Sequence, residues 1–388
     1  MKKTICIVTG TRAEYGLLRT IIKKIKANNE FNIRVVATGM HLSKDFGLTY
    51  KELEADDVLI DAKLNVLQND DSQKAMSKAI GTGIIAFAEY FDKRRPDLVI
   101  VLGDRFEIFA AATAAAVACI PIAHLYGGET TEGAIDEFFR HSITKMSYLH
   151  FTSTEKYRQR VINMGESPDR VFNVGAMGVE NILSMPLLPK IKLAQSINFD
   201  LEVPYALVTF HPVTLEMDAA TKQLEELLAA LDEINGLNFI FTKANADANG
   251  RAINKRIDEY CKDRENTTAL TSLGVLRYLS AMKYCEMVIG NSSSGIMETP
   301  SFRKPTINIG DRQKGRICAK SVISCEPERQ AILDTIKKAR SQQFLLEIEN
   351  QETPYGDGIT SEKIIAVIKD FLGNDKINLK KRFYDVRG

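Results

Sequence analysis

Short β-branched runs alternate with longer amphipathic stretches along almost the whole chain, and this alternation restricts the fold more than any single motif. TICIVTG (4–10), NIRVVATG (32–39), DLVIVLGD (97–104), IPIAHL (120–125), LHFTS (149–153) and VFNVG (171–175) form a first series. Short runs that are apolar at nearly every position predict strands buried on both faces, as in a parallel sheet. Helical stretches such as Leu17 to Lys26 and Glu107 to Ala118 lie between them. A second series follows, with YALVTFHP (205–212), NFIFTKAN (238–245), EMVIGNSSSG (286–295) and PTINIGD (305–311) separated by segments such as Lys222 to Ile234. Two blocks of strand–helix alternation predict two doubly wound α/β domains, and 388 residues are too many for one comfortable core. The hinge candidate is LSMPLLPKIKLAQSINFDLEVPY (183–205), where three prolines interrupt both patterns. The expected domains are therefore 1–180 and 181–372, with a charged tail, 373–388, returning toward the first.

Charge and cysteine usage exclude several classes. Lys plus Arg number 51 against 50 Asp plus Glu, which argues against a nucleic-acid or anionic-membrane surface but leaves room for a local basic pocket. Cysteines at 6, 119, 261, 285, 318 and 325 form no C-x-x-C pair, a scatter that suits reduced thiols in the cytoplasm. The apolar stretch after MKK is too short for a signal peptide. The uncharged run Ile108 to Ala123 is broken by Pro121 and reads as a buried helix followed by a strand. No membrane partner is expected. HExxH, paired-His spacings and a hydride-cofactor fingerprint are all missing from the sequence, so neither metal nor cofactor is expected.

Ligands of open α/β sheets sit at the carboxyl ends of strands, and polar residues gather there in this chain. TGTRAEYG (9–16) joins the first strand to the first helix; it reads either as an ordinary capped turn or as an anion site to which Arg12 adds a forked donor. VLGDRFE (101–107) puts Asp104 and Arg105 at a strand end, as a structural ion pair or as a site carboxylate with an anion clamp. HLYGGETTEGAIDEFFRHS (124–142) sets Gly127 and Gly128 before Glu129, Glu132, Asp136 and Glu137. Complementing a helix dipole would explain Asp136 and Glu137, but explains Glu129 less well. His211 and Asn245 occupy strand ends in the second block. IGNSSSGIMETP (289–300) runs a strand into three serines and a helix carrying Glu298. Hydroxyls and N–H groups there suit a diphosphate, and a carboxylate one turn on can reach two vicinal ribose hydroxyls. GDRQKGR adds Arg312 and Arg316. The second block thus reads as a nucleoside-diphosphate half.

Taken in order, TGTRAEYG, VATGMHLS, LGDRFE, GGETTEGAIDEFFRHSITKMSYLH, FHPVT, IGNSSSGIMETP and INIGDRQKGR resemble the hydrolysing UDP-N-acetylglucosamine 2-epimerases of the sialic-acid pathway, NeuC type, across nearly the whole chain. The resemblance implies the GT-B fold, two Rossmann-like domains facing a cleft, and homo-oligomers (dimers or tetramers). It implies a UDP-sugar substrate, with uracil met by backbone near Leu273, ribose by Glu298, and diphosphate by Ser292, Ser293 and Arg12. Arg105, His211, Asn245 and Arg312 would line the diphosphate and sugar, with His211 among the catalytic groups. Asp104 and Asp136 match acidic residues of the chemistry. The implied reaction is anti elimination of UDP to a 2-acetamidoglucal and hydration to N-acetylmannosamine. UDP-N,N′-diacetylbacillosamine is the alternative substrate, and a non-hydrolysing epimerase or a glycosyltransferase are more distant ones. Two positions depart from the pattern. Tyr126 stands where relatives often carry a glutamate, which makes Glu129 the first choice for moving the C2 proton, with Glu132 or Tyr126 as alternates. Gly16 replaces a serine near the diphosphate.

Overall fold

The computed structural model describes residues 2–68, 70, 72–132, 134–212, 220–244, 250–374 and 376–386. The chain forms two compact units, one of Met1–Glu129, Asp136–Leu183 and Tyr355–Gly388, the other of Thr130–Ile135 and Ser184–Pro354. The first holds strands β1 (Lys3–Thr9), β2 (Phe31–Thr38), β3 (Ile60–Leu64), β4 (Leu98–Leu102), β5 (Ile122–Leu125), β6 (Leu149–Thr152) and β7 (Val171–Asn173). They form one parallel sheet in the order β3-β2-β1-β4-β5-β6-β7. The second holds β8 (Tyr205–Thr209), β9 (Asn238–Thr242), β10 (Thr267–Leu270), β11 (Met287–Gly290), β12 (Thr306–Ile309) and β13 (Val322–Cys325). These are also all parallel, in the order β10-β9-β8-β11-β12-β13. Each sheet therefore has a switch point where strand order reverses, between β1 and β4 and between β8 and β11. That is where an open sheet leaves a crevice at its carboxyl edge.

The strand sequences explain why both faces are covered. Side chains alternate across a sheet, and in β8 Ala206 and Val208 join one apolar cluster while Tyr205 and Leu207 join another on the opposite face. In β1, Cys6 and Val8 pack into an apolar cluster of the first unit, and Ile5 and Ile7 are equally buried. Among the described residues no helix is long and apolar enough to cross a membrane.

Two expectations about organisation are corrected. The units divide between Leu183 and Ser184, and helix Thr360–Gly373, expected in the second domain, belongs to the first unit. Its apolar stripe Ile364, Ile368, Phe371 and Leu372 is buried, and Phe371 packs edge-on against Tyr148 and Phe172. Glu180, itself buried, accepts from Ser361 N at 2.7 Å at the start of that helix and pairs with Lys24 at 2.9 Å. The hinge candidate also contains a helix, Lys190–Ile197, with Pro189 as its N-cap. There the prolines end one helix and start the next.

Helix Phe106–Val117 stops in a Schellman turn. Cys119 N donates to Ala116 O at 3.0 Å and Ile120 N to Ala115 O at 2.9 Å, with Cys119 at φ +52. A left-handed conformation at this position favours glycine. Cys119→Gly is expected to stabilise the protein by about 0.5–1 kcal/mol, read as a raised midpoint in thermal or urea unfolding.

Candidate active site

In the first unit three consecutive strand ends converge on the switch point. After β1, Gly10 and Thr11 lead into helix Arg12–Ala27. Glu14 N donates to Thr11 Oγ1 at 3.2 Å, and Gly10 N donates to Glu14 Oε2 at 2.7 Å, a variant of the capping box. Arg12 is the first helical residue. After β4, Asp104 precedes Arg105, which is the N-cap of helix Phe106–Val117 and donates from Nε to Glu107 Oε1 at 2.8 Å.

The loop after β5 begins with Tyr126 at φ +67, a conformation costly for a bulky side chain. Its hydroxyl accepts from Met177 N at 2.8 Å, at the start of helix Met177–Ser184. Gly128 at φ +78 tolerates no side chain, because a Cβ would lie 2.5 Å from Tyr157 O. The next residue, Glu129, is 2 % exposed and accepts from Ser153 Oγ at 2.7 Å.

Helix Asp136–Met146 closes this edge. Arg140, only 1 % exposed, is ion-paired with both Asp104 and Glu137, and donates from Nη1 to Glu129 O at 3.2 Å. A buried guanidinium needs this much pairing to offset its desolvation. The result ties the loops after β4 and β5 to one cation. His141 continues the chain, Nε2 to Glu137 Oε1 at 3.0 Å. Asp136 is half-buried at the first position of the helix.

His124 is structural. Its Nε2 faces Gly103 O at 2.7 Å and must carry the proton, while Nδ1 lies 3.1 Å from Thr144 Oγ1. Burial pushes its pKa down to about 3, so the ring is neutral and anchors the Asp104 loop. His41 is held likewise between Thr9 and Thr49 hydroxyls, at 3.0 and 2.9 Å, with burial pushing it down to about 4.

In the second unit the edge is organised by Asn291, which is 1 % exposed. Its amide bonds both ways to the backbone of His211, accepting from N at 2.7 Å and donating to O at 2.8 Å. The loops after β8 and β11 are thereby locked together, with the His211 side chain buried. Gly290 is at φ +133 and a Cβ there would sit 1.9 Å from Thr209 O, so only glycine lets these strand ends approach. The Asn291 carbonyl accepts from Gln313 Nε2 at 2.8 Å and Arg312 Nη1 at 3.2 Å, fixing the loop after β12.

Ser292 caps helix Ser293–Met297 by accepting from Ser294 N. This helix is five residues long, so anion binding here relies on local hydroxyls and N–H groups more than on an extended dipole. Ser293 and Glu298 have no side-chain hydrogen bond among the described residues, and Glu298 keeps part of its surface accessible. Desolvation alone pushes the Glu298 carboxyl up to about 7. The Leu273 side chain lies in the core and its carbonyl accepts from Arg277 Nε at 2.7 Å. Of the alternates for proton transfer, Glu132 lies in the second unit, its Oε1 3.0 Å from where a Gly315 Cβ would stand. Arg316 Nε donates to Thr130 O at 3.1 Å in the same unit. Asn245 lies outside the described residues.

The sequence profile of the UDP-N-acetylglucosamine 2-epimerase family matches residues 23–369. The chain belongs to this family. Within it the epimerase is similar to hydrolysing members. It is 40 % identical over 386 residues to a GDP/UDP-N,N′-diacetylbacillosamine 2-epimerase (hydrolyzing) of Campylobacter jejuni, covering 99 % of this chain and 100 % of the relative. It is 39 % identical over 385 residues to the polysialic acid biosynthesis protein P7 of Escherichia coli, covering 99 % and 98 %. The crystal structure of a Neisseria meningitidis UDP-GlcNAc 2-epimerase bound to UDP-GlcNAc matches 95 % of this chain and 100 % of that one, with a TM-score of 0.80 at 20 % identity. That likeness establishes the GT-B fold of the epimerase.

Several residues that organise the epimerase's strand ends escape a motif reading. Arg140 and Glu137 stand out only once helical spacing is combined with the β4 loop. Ser153 gives no signal in the sequence. Asn291 and Gln313 lie inside quoted motifs but act through backbone contacts that residue type alone does not reveal.

Proposed function

We propose that the protein is a hydrolysing 2-epimerase that removes UDP from a UDP-2-acetamido sugar and inverts C2, with UDP-GlcNAc as substrate and N-acetylmannosamine as product. The carrying observation is the Asp104–Arg140–Glu137 cluster at the carboxyl edge of the first sheet, next to the buried, Ser153-oriented Glu129. C2–H of a neutral sugar is scarcely acidic, so its proton leaves only as the C1–O bond to UDP breaks, and a positioned carboxylate must accept it. A second group must return a proton to the opposite face while water adds at C1. Glu129 is the proposed carrier of the C2 proton. Asp104, ion-paired with Arg140, and Asp136 are its proposed acidic partners, and His211 the proposed catalytic group of the second unit.

The nucleotide half of the reading rests on the uncommitted Ser293 hydroxyl, the Ser292 cap and the unpartnered Glu298 carboxylate. Glu298 would accept from both ribose hydroxyls, and Ser292, Ser293, Arg12, Arg105 and Arg312 would hold the diphosphate. Stabilising the departing diphosphate is the electrostatic part of the catalysis.

A second substrate reading, UDP-N,N′-diacetylbacillosamine, is supported by the Campylobacter relative and by Tyr126, an aromatic residue where relatives often carry a glutamate. Incubating the protein separately with each nucleotide sugar in heavy water is expected to release UDP and leave one deuterium at C2 of the free sugar, by NMR. Release from the diacetylated sugar alone would replace the first substrate by the second. Product lacking C2 deuterium would sink the epimerase reading.

A further inference from the structure

Two carboxylates lie at the β1–β4 switch point that the proposed chemistry does not use. Glu107, in the first turn of helix Phe106–Val117, is 1 % exposed, and Glu14 is also buried. Glu107 lies in a slot over two glycines. A Cβ on Gly10 would stand 2.5 Å from its Cγ and Oε1, and one on Gly39, at φ +56, would stand 3.0 Å from Oε1. Its Oε1 accepts from Arg105 Nε. Glu14 Oε2 accepts from Gly10 N. The remaining oxygens, Glu14 Oε1 and Glu107 Oε2, are buried with no hydrogen-bond partner. Burial, with Glu107 beside it, raises the Glu14 carboxyl to about 8, so Glu14 holds a proton at neutral pH. Glu107 has the Arg105 guanidinium as its partner, whereas Glu14 has a single amide donor.

We propose that Glu107 is the positioning residue for Arg105, seated in a slot that exists because residues 10 and 39 are glycines, and that Glu14 is the neutral acid that lets it stay there. The inference rests on the reading above, in which Arg105 meets the diphosphate and sugar. Glu107 touches no substrate and acts through the arginine. Around Glu14 the charged groups are Glu107, Arg105 and Asp104. His41, beyond Gly39, is neutral. Burial first, and Glu107 second, raise the Glu14 pKa. As pH rises far enough to ionise Glu14, repulsion displaces Glu107, Arg105 loses its orientation, and KM for the nucleotide sugar climbs.

The test is steady-state kinetics of UDP release by the full chain from pH 6 to 9.5, for wild type, Glu107→Gln and Glu14→Gln. Glu107→Gln leaves Arg105 only a neutral amide oxygen as acceptor and is expected to raise KM roughly tenfold at every pH with kcat within threefold, the effect of losing the charge assistance of one hydrogen bond. Glu14→Gln reproduces the protonated acid, its amide N–H₂ facing Glu107. It is expected to keep the wild-type KM at pH 7 and to remove the alkaline rise. A folded Glu107→Gln with KM within twofold of wild type overturns the positioning role. An alkaline rise that persists in Glu14→Gln overturns the neutral-acid role of Glu14, and it does so even if Glu107→Gln fails to fold. Failure of the wild type to release UDP from either sugar overturns the functional reading, and this inference with it.

Discussion

Asp104→Asn is expected to lower turnover of the nucleotide sugar about a thousandfold, in the middle of the range for losing a general acid or base, while leaving UDP affinity within about twofold. Asparagine keeps the size and the polar contact but cannot accept a proton. The neighbouring Arg140 still has Glu137, so the substitution does not strand an unpaired buried cation and the fold should survive. Circular dichroism and UDP titration calorimetry separate the two effects. More than about a tenth of wild-type kcat in the variant would remove Asp104 from the proton chemistry. Arg140→Met makes the complementary case. Asp104, Glu137 and the Glu129 carbonyl all lose their common partner, so stability should fall along with activity.

The second large effect concerns UDP itself. Glu298→Ala is expected to weaken UDP binding about a hundredfold, since it deletes two hydrogen bonds to a charged acceptor. The pH dependence is a sharper test. A carboxyl near 7 in the free protein is mostly protonated at pH 6, and the protonated form cannot accept from both ribose hydroxyls. Two hydroxyl donors favour the ionised form, so binding expels a proton and affinity increases with pH. Between pH 8 and pH 6 the wild type should lose roughly tenfold in affinity. Glu298→Gln should show no such slope, and neither should wild type with a 2′,3′-dideoxy nucleotide. Equal affinity for UDP and its dideoxy analogue would dismiss Glu298 as the ribose ligand.

The interior strands were legible in the sequence because a parallel strand covered on both faces is apolar at nearly every position. That property marks β1, β4, β5, β8, β9 and β11. The edge strands β3, β10 and β13 were missed, and their burial explains why: each has at most one fully buried residue, so no apolar run forms. Asp104 and Glu129 are site candidates by position, because a charged side chain soon after an apolar strand lies at the sheet edge, and Glu298 because it follows the serine-capped helix after β11. Arg140 carries no such signal, since Asp104 lies on another strand end. Leu273 was chosen through the resemblance, and its carbonyl proves to be engaged by Arg277. The sequence alone places helix Thr360–Gly373 in the second domain, because amphipathic spacing tells that a helix packs, not on what. Its destination depends on a buried glutamate 181 residues away from Ser361.

The return of residues 355–388 to the first unit bears on the order in which the ribosome can finish the molecule. All but six residues of the second unit lie in one continuous stretch, 184–354, so nearly all of its chain has emerged before synthesis ends. The first unit begins first and is completed last. Until Ser361 emerges, Glu180 lacks the amide that accompanies its burial, and the aromatic surface of Tyr148 and Phe172 has no Phe371 to cover it. A chain stopped short of residue 360 would therefore leave Glu180 with Lys24 as its remaining partner and the faces of Tyr148 and Phe172 uncovered.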